Sequence, residues 1–202
     1  VLALAKLGLE NIHVFDFDVV EAHNIANQVF SQSDIGRPKV EALRDIVKAH
    51  TGLEITIYNE RVDGSQKLGD VVFLLTDTMS SRKEIWQKAI RYKVATKLMI
   101  ETRMGVDQGR VYVVNPTRSA QVKGWEETLY DDDVAEVSAC GTTISVGPTA
   151  EFLSGLAVWQ LIRWLNIETG KASEGGADQL DHEILFCLRP PTILNRQFDQ
   201  LV

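Results

Sequence analysis

Residues 70–77 read DVVFLLTD, five apolar side chains in succession closed by threonine and aspartate. A half-exposed strand would alternate polar and apolar residues. An unbroken apolar run of this length, rich in β-formers, predicts a strand covered on both faces. Such strands belong to sheets flanked by helices, and the rest of the chain supplies the helices. VLALAKLGL at the start carries a one-sided apolar pattern that stops near Gly8. NIHVF then predicts a short strand running into Asp16 and Asp18. GRPKVEALRDIVKAH predicts a helix with Pro38 in its first turn and an apolar stripe of Val40, Leu43, Ile46 and Val47.

LEITIYN (53–59) alternates as a strand does. SSRKEIWQKAIRYK (80–93) reads as an amphipathic helix capped by Ser80 or Ser81. KLMIET and GRVYVV add two strands, and a helix spans Thr149 to Leu165. A polar, glycine-rich loop (166–179) leads to the strand EILFCL, with turn residues at Pro190 and Pro191. Strand–helix alternation predicts an α/β fold: a Rossmann-like, doubly wound, mostly parallel sheet with additional C-terminal antiparallel strands. We expect a single nucleotide-binding domain over 1–202, a crossover or lid-like loop at 117–140, and a C-terminal β appendage at 180–202. A Rossmann-type unit opens with a strand and a glycine-rich turn, whereas this chain opens inside a helix. Further residues before Val1 are therefore expected.

Composition narrows the partners. A formal charge of −7 argues against nucleic acid, which demands a basic face. No apolar run is long enough for a membrane helix, and two cysteines are too few for a disulfide framework or a four-thiolate zinc site. A reducing cytoplasm is the expected location. In doubly wound sheets ligands sit at the carboxyl ends of strands, where Asp16, Asp18 and Asp77 all fall. Asp16 is placed to accept hydrogen bonds from ribose hydroxyls. Lys39, at a helix start, puts a cation beside free backbone amides, an arrangement suited to phosphate. Asp77 precedes a helix start, a place for a magnesium ligand. Each also has a plainer reading as a solvated acid, a surface lysine and a helix-capping acid.

Taken in order, DFD, HNIANQ, DIGRPKVEAL and DVVFLLTDTMSSR resemble the ThiF/MoeB family, whose superfamily includes the ubiquitin-activating enzymes. The family pattern is an Asp-x-Asp strand end, Asn-x-x-Arg-Gln, Gly-x-x-Lys opening a helix, and Thr-Asp-Asn followed by arginine. The resemblance implies an ATP-dependent adenylyltransferase that activates the C-terminal carboxylate of a small ubiquitin-like or sulfur-carrier protein. By position it implies that Asp16, Asp18, Asn24, Gln28, Lys39 and Asp77 bind the nucleotide, with Asp77 holding magnesium. It also implies a homodimer. Asn27 stands where the family has arginine, a loss of charge in a catalytic position that Arg37, Arg82, Arg103 or a partner's arginine would have to cover. Cys140, seven residues before Gly147-Pro148, matches the family's reactive cysteine, a candidate acyl acceptor. The zinc-binding Cys-x-x-Cys pairs are missing, so no structural zinc is expected.

Two other functions compete. One is a catalytically silent scaffold or non-catalytic subunit, motivated by Asn27. The other is an NAD-dependent oxidoreductase, which gives no account of Lys39 or Asp77. Cys187, in EILFCL, reads as core. His13, His23, His50 and His182 lack metal-ligand spacing. Trp125 and Tyr130, with the acids Asp131–Asp133, read as a mobile surface loop, and Trp159 and Trp164 as core or subunit-interface residues.

Overall fold

The computed structural model describes residues 1–134, 146–171 and 179–198. The chain forms two compact units, Val1–Val62 and Asp63–Val202.

In the first unit, helix α1 (Leu2–Lys6) precedes strand β1 (His13–Phe15), and helix α2 (Lys39–Thr51) precedes strand β2 (Thr56–Tyr58). β1 and β2 run parallel, with Val14 opposite Ile57. Parallel neighbours need a crossover connection, and α2 provides it. Ala5 of α1, Val47 of α2 and Ile55 form one buried cluster with Leu43, Val14 and Ile57 packed on it. Val20, Phe30 and Ala42 form a second. The predicted stripe on α2 therefore faces inward. The helix stops at Gly52, whose φ of +73° is a left-handed C-cap that a side chain would resist. Pro38 sits one position earlier than expected, as the N-cap. Between β1 and α2 the chain makes two short 3₁₀ turns, Ala22–Ala26 and Gln32–Asp34.

The second unit holds a five-stranded sheet in the order β3 (Val71–Leu74), β4 (Leu98–Met104), β5 (Gln108–Val114), β6 (Glu183–Leu188) and β7 (Pro191–Arg196). β3 and β4 are parallel, and the remaining pairs are antiparallel. This is the expected α/β architecture with antiparallel C-terminal strands, but the antiparallel extension already starts at β5, so that among the described strand pairs two are parallel and three antiparallel. The extension owes its direction to tight connections: Gly105 N–H bonds Gln108 O at 2.8 Å between β4 and β5, and two residues join β6 to β7. Helix α5 (Gly147–Glu168) packs on β4 and β5. No described helix is long and apolar enough to cross a membrane.

Several expectations change here. Helix α3 (Met79–Ile85), continued by a π-helical turn at Trp86–Ile90, is capped by Thr78, whose hydroxyl accepts from Ser81 N–H, and not by Ser80 or Ser81. Residues 117–140 are not wholly loop, because Ser119–Glu126 forms helix α4. Trp125 on that helix is completely buried rather than on a surface loop, 4.5 Å from Trp86 between ring centroids. Pro191 is not confined to a turn but opens β7. Trp159 is 57% exposed, so it is not core, and Cys187 is half-buried, with its thiol on Arg189 O.

Candidate functional site

The amino-acid order at the end of β1 builds the first half of the candidate site. β1 hands the chain to Asp16, whose Oδ1 accepts the Asp18 N–H at 2.9 Å, a local turn that aspartate favours. The backbone then runs antiparallel to the segment before α2. Val20 N–H bonds Arg37 O and Gly36 N–H bonds Val20 O, each at 2.8 Å, with Val19 bridged to Pro38. This short ladder sets Asp18 against Lys39. Lys39 N–H bonds Asp18 O at 2.9 Å, and Lys39 Nζ bonds Asp18 Oδ2 at 2.9 Å. The amides of Lys39, Glu41 and Ala42 are therefore occupied, the last two by Pro38 O. The expectation of several free amides at this helix start does not hold, and the cation is left as the anion-attracting group.

Asn24 lies on the 3₁₀ segment that follows, and Gln28 lies just beyond its end. Asn24 is buried and its Oδ1 accepts Glu21 N–H at 2.9 Å, while its carbonyl accepts Gln28 N–H at 2.8 Å. Gln28 itself is exposed. Asn27 closes the segment, and its buried Oδ1 has no hydrogen-bond partner among the described residues.

Asp77 belongs to the second unit. It lies beyond the end of β3, which stops at Leu74, and is exposed. The next residues are pinned by a group that sequence reasoning assigned to a solvated loop. Asp132 accepts Met79 N–H through Oδ1 at 2.5 Å and Ser80 N–H through Oδ2 at 3.1 Å, capping α3. Asp131 pairs with Lys83 at 2.7 Å. Hydrogen bonding from the Ser80 side chain and from the two amides holds the Asp132 carboxyl below its ordinary range. The pairing spans more than 50 residues of sequence, so nothing local signals it.

The arginines considered as substitutes for the charge missing at Asn27 are all engaged. Arg37 pairs with Asp34 and Asp45, and Asp34 is itself held below the usual carboxylate range, chiefly by the Ser31 backbone N–H. Arg82 and Arg103 both pair with Glu101, which is fully buried, at 2.7 and 3.1 Å. Trp125 Nε1 donates to the same carboxylate at 3.1 Å, and Arg82 also bonds the carbonyls of Thr76 and Thr102. Tyr130 is partly exposed, with the Arg103 guanidinium 5.8 Å from its ring centroid. Cys140 lies outside the described residues. Among the described residues no cluster of three or more histidine, cysteine, aspartate or glutamate side chains offers a ready-made metal cage.

The ThiF family model matches residues 1–185. The chain belongs to the ThiF family. Two proteins of Escherichia coli K12 are similar to this ThiF-family chain. The sulfur carrier protein ThiS adenylyltransferase is 27% identical over 176 residues, covering 83% of this chain and 68% of that protein. The molybdopterin-synthase adenylyltransferase is 30% identical over 89 residues, covering 41% of this chain and 36% of that protein. Solved structures share the fold. E. coli MccB with MccA-N7isoASN superposes with a TM-score of 0.72 at 16% identity, covering 98% of this chain and 60% of that one. E. coli MccB with ATP gives 0.66 at 15% identity, covering 98% and 59%. PaaA gives 0.69 at 17% identity, covering 98% and 67%. This ThiF-family chain thus spans about three-fifths of the length of MccB.

Proposed function

We propose that this ThiF-family chain is the nucleotide-binding part of an ATP-dependent adenylyltransferase acting on the C-terminal carboxylate of a small ubiquitin-like or sulfur-carrier protein. The observation that carries the reading is the Asp16–Asp18–Lys39 constellation. It joins an acid at a strand end to a cation at the opening of the next helix, within a chain whose similar proteins include two adenylyltransferases. Asp16 Oδ2 takes no hydrogen bond from a described residue, so it remains open to ribose hydroxyls. Lys39 Nζ neutralises phosphate charge, and Asn24 and Gln28 flank the nucleotide. Phosphoryl and nucleotidyl transfer rests mainly on such positioning and charge stabilisation. The carboxylate attacks the α-phosphorus, pyrophosphate leaves, and an acyl-adenylate remains.

The donor set suits magnesium in its usual mode, in which one or two carboxylates hold the ion and substrate phosphates complete its shell. Asp77 is an exposed carboxylate of that kind. Bound there, the ion would neutralise charge on the leaving pyrophosphate. Cys140 would take the acyl group in a second step. We place the protein in the cytoplasm as a homodimer, with the exposed Trp159 of α5 as a candidate contact residue.

A thermal-shift comparison tests the nucleotide class, since a ligand that binds only the folded state raises apparent stability. Magnesium ATP is expected to raise the melting temperature and NAD to leave it unchanged. Stabilisation by NAD alone would replace this reading with the oxidoreductase. The silent-scaffold reading keeps one supporting observation, the uncharged Asn27, and differs by binding ATP without turning it over.

A further inference from the structure

The two acids of Asp16-Phe17-Asp18 are held differently. The Asp16 backbone N–H donates to Tyr58 O at 3.2 Å, and its carboxylate accepts, among the described residues, only the Asp18 N–H through Oδ1. Asp18 instead grips Lys39 at both ends, backbone N–H on its carbonyl and ammonium on its carboxylate, each at 2.9 Å. The ladder of Val20 with Gly36 and Arg37 makes this grip a product of the fold rather than of a chance side-chain meeting. It closes through Gly36 at a φ of +86°, a backbone conformation suited to glycine. The Lys39 side chain is only 16% exposed, so its stem is confined, while Asp18 is 49% exposed. An ammonium has three N–H donors. One is spent on Asp18, and no other described residue accepts from it, which leaves two for a ligand.

We propose that Asp18 is a positioning residue: it holds the Lys39 ammonium for a ligand's polyphosphate and is not itself a ribose ligand. This deepens the nucleotide reading above and rests on it. A bare carboxylate beside the phosphates would repel them, and pairing with Lys39 cancels that charge. The hydrogen bond, more than the charge, is therefore the useful part of Asp18. An asparagine can keep the acceptor without the charge, and an alanine keeps neither.

The test combines binding and labelling on the full chain. In calorimetric titrations, Asp18→Ala is expected to weaken magnesium ATP roughly tenfold, a typical coupling between neighbouring groups. Adenosine affinity should stay unchanged, and Asp18→Asn should stay within about twofold of the parent for both ligands. In a Lys39→Ala background, Asp18→Ala should cause no further loss of magnesium ATP affinity, because the unpaired carboxylate then only repels phosphate. An equal loss of ATP and adenosine binding would make Asp18 a ribose ligand and overturn the proposal. Identical behaviour of the alanine and asparagine variants, or no effect of alanine, would overturn it too. Labelling with an amine-acylating reagent needs no nucleotide: Asp18→Ala should raise the modification rate of Lys39 several-fold while Lys48 is unchanged. An unchanged Lys39 rate rejects the coupling itself. Faster labelling in a chain that binds neither ATP nor adenosine would reject the nucleotide reading and, with it, the polyphosphate role.

Discussion

Asp77, the proposed magnesium ligand, is a surface acid with no structural task among the described residues. It makes no ion pair with a described residue and sits beyond the end of β3. Surface substitutions of this kind usually change stability by less than about 0.5 kcal/mol. Asp77→Ala is therefore expected to leave the melting temperature unchanged while removing magnesium-dependent adenylation. Full activity in that variant would cancel the metal assignment. Glu101 is the opposite case. It is buried, bridges Arg82 and Arg103, and accepts from Trp125. Removing one partner of a buried ionic group leaves the others uncompensated, at about 3–5 kcal/mol. Chemical denaturation of Glu101→Ala should show a loss of that size, and a loss below about 1 kcal/mol would mean that the arginines find water instead.

At the scale of elements, α3 depends on a residue from a distant segment. Asp132 supplies the acceptors that the first amides of the helix lack, the role that side-chain caps normally play from nearby. Its carboxyl titrates below the ordinary value of 3.8 in the folded chain. The folded state therefore favours the ionised form. The stabilisation is fully present above the unfolded-state value and fades as pH falls below it toward the folded-state value. Hydrogen exchange at the Met79 and Ser80 amides is expected to be faster in Asp132→Ala than in the parent at neutral pH. The corresponding difference in unfolding free energy should shrink once pH drops below about 4. A difference that persisted undiminished to acid pH would assign the effect to packing.

The molecule as a whole was legible where short-range pattern decides structure. The apolar run at 71–75 announced β3 but not its burial, since Val71, Val72 and Phe73 are only half-buried and Leu75 is exposed. The stripe on α2 announced its buried face, and ordered motifs over residues 1 to 82 announced the family. Helix α4 was hidden because SAQVKGWE mixes polar residues with a single tryptophan whose burial depends on Trp86 and Glu101, brought in from other elements. The β7 strand was hidden behind two prolines, which an edge strand tolerates since its outward N–H groups need no partner. In the site, residue types could nominate Asp16, Asp18 and Lys39 but not divide their labour. That division came from the ladder between residues 18–20 and 36–39.

The proposed adenylation site is open to a direct assay: exchange of labelled pyrophosphate into ATP by the protein with magnesium and a panel of small sulfur-carrier and ubiquitin-like proteins. Carrier-dependent exchange is expected, disappearing in Asp77→Ala and rising about tenfold or more in Asn27→Arg, the change that restores the arginine of the family pattern. ATP binding without exchange in the parent or in Asn27→Arg, across the panel, would contradict the proposal and leave a nucleotide-binding scaffold.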